Sequence, residues 1–351
     1  MKNYIGLDVS MKETSICAVD ETGQIVYEGI EESDAQKLVQ HIKKRNLHVE
    51  KAAVESGSIS HWLVSQMQKL GFPVICVDAR HMAAILSLSV NKTDKNDARG
   101  IANALRGGLY REVHLKSQTA VDVCSLITAR KALVNQRTKL KNTIRGLLKG
   151  YGIRLSTTGA KSFSSKVREV LNALPSAAQM AVEGVLNGFQ ALEEQAQKLE
   201  KEIKHEAQND PDACLLMTIP GIGPITALSF KAAIGDPKRF QNSRFVGAYL
   251  GMTPHQYSSG ETQRLGRISK RGTAVVRSLL YEAAVVMLTR TKLWSRPKAW
   301  ALKILRKKGL KKASVALGRK LAVIMHRMLI TKEAFKLGNP FDEQDQTVNV
   351  A

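Results

Sequence analysis

The sequence predicts an α/β domain joined to a largely helical remainder. Three observations carry this. The first hundred or so residues alternate short β-rich runs with amphipathic helical patterns. From about residue 119 the apolar spacing lengthens to helical heptads. The chain has 351 residues, more than one ordinary core holds, so two or three domains are expected.

Residues 3–9 are apolar and β-rich, 14–19 form a second strand, and 24–30 a third after the turn Glu21-Thr-Gly23. An amphipathic helix over about 34–46 follows, capped by Ser33. Lys51-Ala-Ala-Val-Glu55 is a short strand, 58–71 a helix ending at Gly71, and Pro73–Asp78 another strand. Helices then run to Gly107-Gly108. Three meander strands followed by alternating helix and strand make the ribonuclease H type of mixed sheet, over residues 1–112.

Residues 113–209 read as a coiled-coil helical hairpin. Leu126, Leu133, Leu140 and Leu147 recur every seven residues on a helix over about 119–149. After a linker through Gly150 and Pro175, Val182, Val185, Phe189, Leu192, Ala196, Leu199 and Ile203 alternate steps of three and four. The pair is antiparallel, within the chain or between protomers. Asn209-Asp-Pro-Asp212 opens a mainly helical third domain, 210–340, and 341–351 forms a fraying tail. Its run Ile219-Pro-Gly221-Ile-Gly223-Pro between two helical patterns has the helix-hairpin-helix signature, in which Gly221 and Gly223 let backbone amides approach a phosphate. A plain tight turn is the simpler alternative.

Formal charge is +22, from 53 Lys+Arg against 31 Asp+Glu, which favours a polyanion and above all nucleic acid. A membrane surface is the competing partner. No apolar run approaches the roughly 18 residues of a spanning helix, and no signal peptide precedes the first strand. Four isolated cysteines read as buried residues of a reducing cytoplasm. Residues 290–327 hold thirteen Lys/Arg and no acid. With Trp294, Trp300, Leu302, Ile304, Leu305, Leu317, Leu321 and Ile324 interleaved, this run is expected to fold as basic amphipathic helices and present Lys307, Lys308, Lys311 and Lys312 to nucleic acid.

In so basic a chain the acids matter. Asp8 sits in a strand, where Asp is disfavoured and burial of its charge is costly. Glu55 ends another strand, and Asp94 and Asp97 stand three apart on a helix, hence on one face. Singly each has a bland explanation: a turn or cap for Asp8, a solvated strand end for Glu55, an N-cap for Asp94. In the ribonuclease H arrangement the first strand lies beside the fourth and the last helix packs across their ends, so all four converge. Such a cluster repels itself unless a cation such as Mg2+ neutralises it.

Downstream, Phe245–Gly260 and Gly266–Gly272 place Ser258 and Ser259 in a loop between helical segments, followed by Arg264, Arg267, Lys270 and Arg271. Spacing alone favours a structural turn for these serines. Taken together, Tyr4-Ile-Gly-Leu-Asp8, Asp94-x-x-Asp97, Ile-Pro-Gly-Ile-Gly-Pro, Ala-Tyr-Leu-Gly-x-x-Pro, Ser-Gly and Gly-x-Ile-Ser-Lys-x-Gly resemble the bacterial insertion-sequence transposases that pair a DEDD RuvC-like domain with a C-terminal serine domain, the bridge-RNA-guided recombinases. The resemblance spans about 3–110 and 213–290. It implies that Asp8, Glu55, Asp94 and Asp97 hold catalytic magnesium, and that Ser259 forms a phosphoserine link to DNA at the same phosphate. It also implies an element-encoded guide RNA, donor and target DNA as partners, and a dimer assembling to a tetramer. Ser258 is adjacent to Ser259, and His255 is assigned to packing or a phosphate contact. The rival readings are a metal-only RuvC-like junction resolvase, in which Ser259 is structural, and a non-catalytic nucleic-acid scaffold.

Overall fold

Ile5, Gly6 and Leu7 are consecutive and buried, the mark of a strand covered on both faces. In the computed structural model, which describes residues 1–87, 91–156, 160–259 and 262–338, this strand is β1 (Asn3–Val9). It is followed by β2 (Glu13–Val19), β3 (Ile25–Glu32), α1 (Ala35–Lys43), β4 (Val49–Glu55), α2 (Ser60–Lys69), β5 (Val74–Val77), α3 (Ala79–Leu86) and α4 (Asp94–Arg106). The sheet order is β3-β2-β1-β4-β5. β1 pairs antiparallel with β2 and parallel with β4, so the first strand does lie beside the fourth.

The two faces are sorted by alternation. Ala52 and Val54 of β4 join Ile5, Leu7 and Ile16 in a core with Leu38 and Ile42 of α1 and Leu63, Val64 and Met67 of α2. Ala53 points the other way, into a cluster with Met82 of α3 and Ile101, Ala104 and Leu105 of α4. The cap of α1 is Asp34, which accepts from the Lys37 amide at 2.9 Å, and not Ser33 as expected. The Ser33 hydroxyl is committed to Thr14 at 2.8 Å and to the Ser10 carbonyl at 2.8 Å.

α4 crosses β1 unusually closely. A Cβ at Gly6 would sit 2.1 Å from the Ala98 carbonyl oxygen and 2.5 Å from the Ala102 nitrogen, both backbone atoms. At its outer side α4 is tied to β3. Arg99 grips both oxygens of Glu28, Nη2 at 3.0 Å, and Lys95 adds a contact at 2.9 Å. Hydrogen bonding to Arg99 holds the Glu28 carboxyl at about 2, well below the usual range.

The chain forms two units, Met1–Lys116 and Ser117–Ala351, so the expected division near 209/210 falls inside the second. That unit contains α5 (Gln118–Lys149), α6 (Ala160–Leu171), α7 (Ser176–Asn209), α8 (Pro211–Met217), α9 (Pro224–Ile234), α10 (Phe245–Tyr249), β6 (Pro254–Ser259), β7 (Thr262–Ile268), α11 (Ala274–Thr289) and α12 (Arg296–Thr331). α5 and α7 pair antiparallel within the chain. Arg130 meets Glu200 at 2.9 Å, and Arg137, seven residues on, meets Glu193, seven residues back. The leucine heptad of α5 is only partly its seam: Leu147 is 38 % exposed, whereas Ile144 and Leu148 are buried. A straight helix repeats every 18 residues, so the stripe that starts at Leu126 drifts to Ile144.

The expected linker contains α6. Its Phe163 is fully buried against Phe189 of α7, ring centroids 5.2 Å apart, with Ile144 and Leu148 of α5 in the same cluster. Phe163 and Val167, four apart, were the sequence signal for it. α7 passes into α8 through one residue. Asp210 ends α7 and caps α8, accepting from the amides of Asp212 and Ala213 at 2.9 and 3.1 Å, while Lys231 of α9 reaches both its oxygens at 2.7 Å. Ile127 of α5 and Ile203 of α7 belong to the core formed by α8, α9, α11 and α12. Cys17 and Cys76 are buried and burial pushes both thiols up to about 11, but Cys214 is exposed, against expectation.

Buried His326 of α12 bonds the Pro237 carbonyl through Nε2 and Ser243 Oγ through Nδ1, each at 2.9 Å. A carbonyl only accepts, so Nε2 carries the proton and Ser243 donates to Nδ1. Burial lowers its pKa. The unfolded chain therefore takes up a proton that the folded chain refuses, and stability falls as pH drops below about 6.5. Urea unfolding at pH 7.5 and 5.5 should show a larger loss for the wild-type chain than for His326→Gln.

Candidate active site

The C-terminal ends of β1 and β4 and the first turn of α4 supply four carboxylates. Asp8 is next to last in β1, Glu55 ends β4, and Asp94 and Asp97 occupy the first turn of α4. The cap of α4 is Thr93, whose hydroxyl accepts from the Asn96 amide at 3.2 Å. Asp94 is thus released from the capping role that was its bland explanation. Both aspartates lie at the positive end of the α4 dipole.

The four interact. Asp8 is half-buried, and desolvation, then the charges of Asp97 and Asp94, push its carboxyl up to about 6, with Lys92 opposing. Glu55 is raised by burial and then by Asp8 and Asp97, again against Lys92. Among the described residues no hydrogen bond or ion pair engages any of the four carboxylate groups. Asp94 is exposed, whereas Asp8 and Glu55 are half-buried acids raised by their neighbours, which is a costly state. An all-oxygen, hard donor set of this kind fits a divalent cation such as magnesium and does not fit a soft metal. Sequence reasoning missed Lys92 and Thr93, although both lie in the same run as Asp94.

A second acidic group is less persuasive. Glu202, His205 and Glu206 have ligand atoms all within 4.8 Å of one another, which the four carboxylates do not. All three are exposed on one turn of α7, where helical spacing alone brings such residues together.

The serine block is a β-hairpin and not a loop between helices. β6 and β7 pair antiparallel with a one-residue bulge after Pro254, and Ser259 pairs with Thr262. The expected Gly260, with Glu261, lies outside the described residues. Ser258 pairs with Gln263, and its hydroxyl accepts from Gln256 Nε2 at 3.1 Å. The His255 and Tyr257 ring centroids are 6.3 Å apart. The two-residue Gly260-Glu261 interval between the paired residues Ser259 and Thr262 was the overlooked hairpin signal. The hairpin base is a tight crossing. A Cβ at Gly251 would meet the Arg271 oxygen at 2.0 Å, and one at Gly272 the Tyr249 oxygen at 2.2 Å.

Arg264, Arg267, Lys270 and Arg271 are exposed on β7 and just beyond. Lys307, Lys308, Lys311 and Lys312 are exposed on either side of Gly309, where α12 breaks with φ 77°. Gly221 has φ 92°, and a Cβ there would sit 2.9 Å from the Ala283 oxygen of α11, so its close backbone approach is internal. Gly223 caps α9 with open space around it. No described helix is long and apolar enough to cross a membrane.

The sequence matches place the chain among the DNA transposases of insertion sequences. Residues 213–299 match the family described as Transposase IS116/IS110/IS902, and residues 5–153 match the DEDD transposase family of IS110. The chain is 32% identical to the transposase for insertion sequence element IS1111A of Coxiella burnetii, over 95% of this chain and 91% of that protein. It is 31% identical to a probable family 20 transposase of Pseudomonas aeruginosa, over 82% and 86%. A pilin gene-inverting protein of Moraxella bovis is 24% identical, over 82% and 83%. Among solved structures, T. thermophilus RuvC in complex with Holliday junction substrate aligns at 13% identity over 32% of this chain and 100% of that chain, with a TM-score of 0.24, too slight a likeness to carry an argument. The chain belongs to the IS116/IS110/IS902 family of transposases.

Proposed function

We propose that this transposase cuts and rejoins DNA through a covalent serine intermediate, with Asp8, Glu55, Asp94 and Asp97 as its magnesium ligands. The observation that carries the metal assignment is the placement of Asp8 and Glu55 at the ends of the paired strands β1 and β4 and of Asp94 and Asp97 on the first turn of α4, with no donor to their carboxylates among the described residues. Bound magnesium supplies charge neutralisation at the phosphoryl oxygens. The carboxylates hold it and, once ionised, leave no acid to quench the nucleophile. Ser259 Oγ forms a bond to phosphorus. The bond from phosphorus to one neighbouring sugar oxygen breaks, and that sugar leaves as a hydroxyl bearing the serine proton. Rejoining is the reverse attack by a sugar hydroxyl on the phosphoserine.

Gly223 at the start of α9, the cations Arg264, Arg267, Lys270 and Arg271, and Lys307, Lys308, Lys311 and Lys312 contact nucleic-acid backbone. An element-encoded RNA guides the reaction between donor and target DNA, and paired cuts call for a dimer that assembles to a tetramer.

Labelled element-end DNA incubated with protein and magnesium, then run on a denaturing gel, tests the covalent step. The wild-type chain should yield a protein-linked band that Ser259→Ala lacks. An adduct from Ser259→Ala would refute Ser259 as the nucleophile and point to the adjacent Ser258, and cleavage with no adduct from the wild-type chain would leave a metal-activated water as nucleophile. Sequencing the nucleic acid that copurifies with the protein tests guidance: one defined element-encoded RNA supports it, and a random mixture refutes it.

A further inference from the structure

The β6–β7 hairpin leaves large apolar side chains in solvent. Tyr257 is 63 % exposed and Leu265 70 %. None of residues 254–258 or 264–268 belongs to the core cluster of the second unit, and a two-stranded hairpin on its own is marginally stable in water. Tyr257 stands directly opposite Arg264, so the two share a face, while Leu265 shares the other face with Gln256. A side chain at position 266 would come within 3.0 Å of the Tyr257 ring, so Gly266 leaves the ring room to lie along the ribbon. From 262 to 281 the sequence has Arg264, Arg267, Lys270, Arg271 and Arg277 and no acid. An exposed ring set among cations is the pattern of a single-strand stacking platform: the cations hold phosphates and the ring holds a base.

We propose that Tyr257 is a base-stacking contact, holding an unstacked base of a DNA strand that runs along the hairpin with its phosphates on Arg264 and Arg267. DNA is the strand assigned because the chain is a DNA transposase. The inference rests on the reading of this hairpin as the element that meets the cleaved strand, since Ser259 lies two positions beyond Tyr257.

The test uses the full chain carrying Ser259→Ala, so that no covalent step is needed, and a mixed-sequence single-stranded oligodeoxynucleotide with a central 2-aminopurine. Binding should quench the 2-aminopurine fluorescence. Adding Tyr257→Ala should abolish the quench and weaken binding roughly 5- to 100-fold, whereas Tyr257→Phe and Leu265→Ala should retain both. Arg264→Ala should keep the quench but lower the dependence of affinity on salt. Unchanged thermal unfolding of Tyr257→Ala separates lost stacking from a lost fold. Quench and affinity that survive Tyr257→Ala overturn the proposal. A Tyr257-dependent quench seen only with the matching oligoribonucleotide overturns the assignment to DNA. A protein that stacks bases as expected yet forms no adduct when Ser259 is present refutes the serine nucleophile and not the stacking contact.

Discussion

Asp8→Asn is expected to lose DNA cleavage by at least about a thousandfold while unfolding at a higher temperature than the wild-type chain in the absence of divalent cations. Both effects come from one group. The Asp8 carboxyl titrates at about 6 in the fold, against about 3.9 in an unfolded chain. A raised carboxyl favours the protonated folded state, so its contribution to stability is present below pH 4 and is lost as pH rises through 6. At pH 7.5 the metal-free fold carries this burden, which Asn removes, for a gain of about 1–2 kcal/mol after allowance for solvent screening. At pH 4 the two proteins should unfold alike. Magnesium should raise the wild-type unfolding temperature and leave that of Asp8→Asn nearly unmoved. A variant that is less stable than wild type at pH 7.5 without metal would contradict the electrostatic account of the site.

Gly6→Val is expected to be the most damaging single change to the first unit. Its Cβ would be driven into the backbone of α4, 2.1 Å from the Ala98 oxygen, and a backbone cannot step aside as a side-chain tip can. Overpacking of this kind costs about 3 kcal/mol or more. What survives should also be inactive, because α4 carries Asp94 and Asp97, and a 1 Å displacement at a catalytic site costs about a hundredfold. Gly146→Ala, in the interior of α5 with nothing near its Cβ, is the matched control and should stabilise by about 0.5–1 kcal/mol. Denaturant midpoints of the three proteins, with cleavage rates, decide the matter.

These two residues mark what the sequence could and could not reveal. Asp8 was legible because an ionised residue in an apolar strand conflicts with folding, and such conflicts point to function. Glu55, Asp94 and Asp97 followed once the strand order was guessed, since the ribonuclease H pattern brings β1 and β4 together. Gly6 was read only as part of a motif. Its reason, the close crossing of α4, is a fact of packing that periodicity does not encode. Local chemistry misled in three places. Ser33 looked like a cap but was taken by Thr14, a heptad was extrapolated past the point where a 3.6-residue period leaves it, and Ser259 was placed in a loop because the mostly polar strands around Gly260 carry no period-two pattern. α6 was overlooked because its serine-rich surface hides Phe163.

Asp210 has a mechanical meaning. α7 has 34 residues, about 50 Å of rod, and it ends on the same aspartate that begins α8. A joint one residue long, clamped by Lys231, has no slack. The direction in which α7 leaves the core is therefore set by the same aspartate and lysine that fix the start of α8, and lengthening this joint by inserted glycines would uncouple the two.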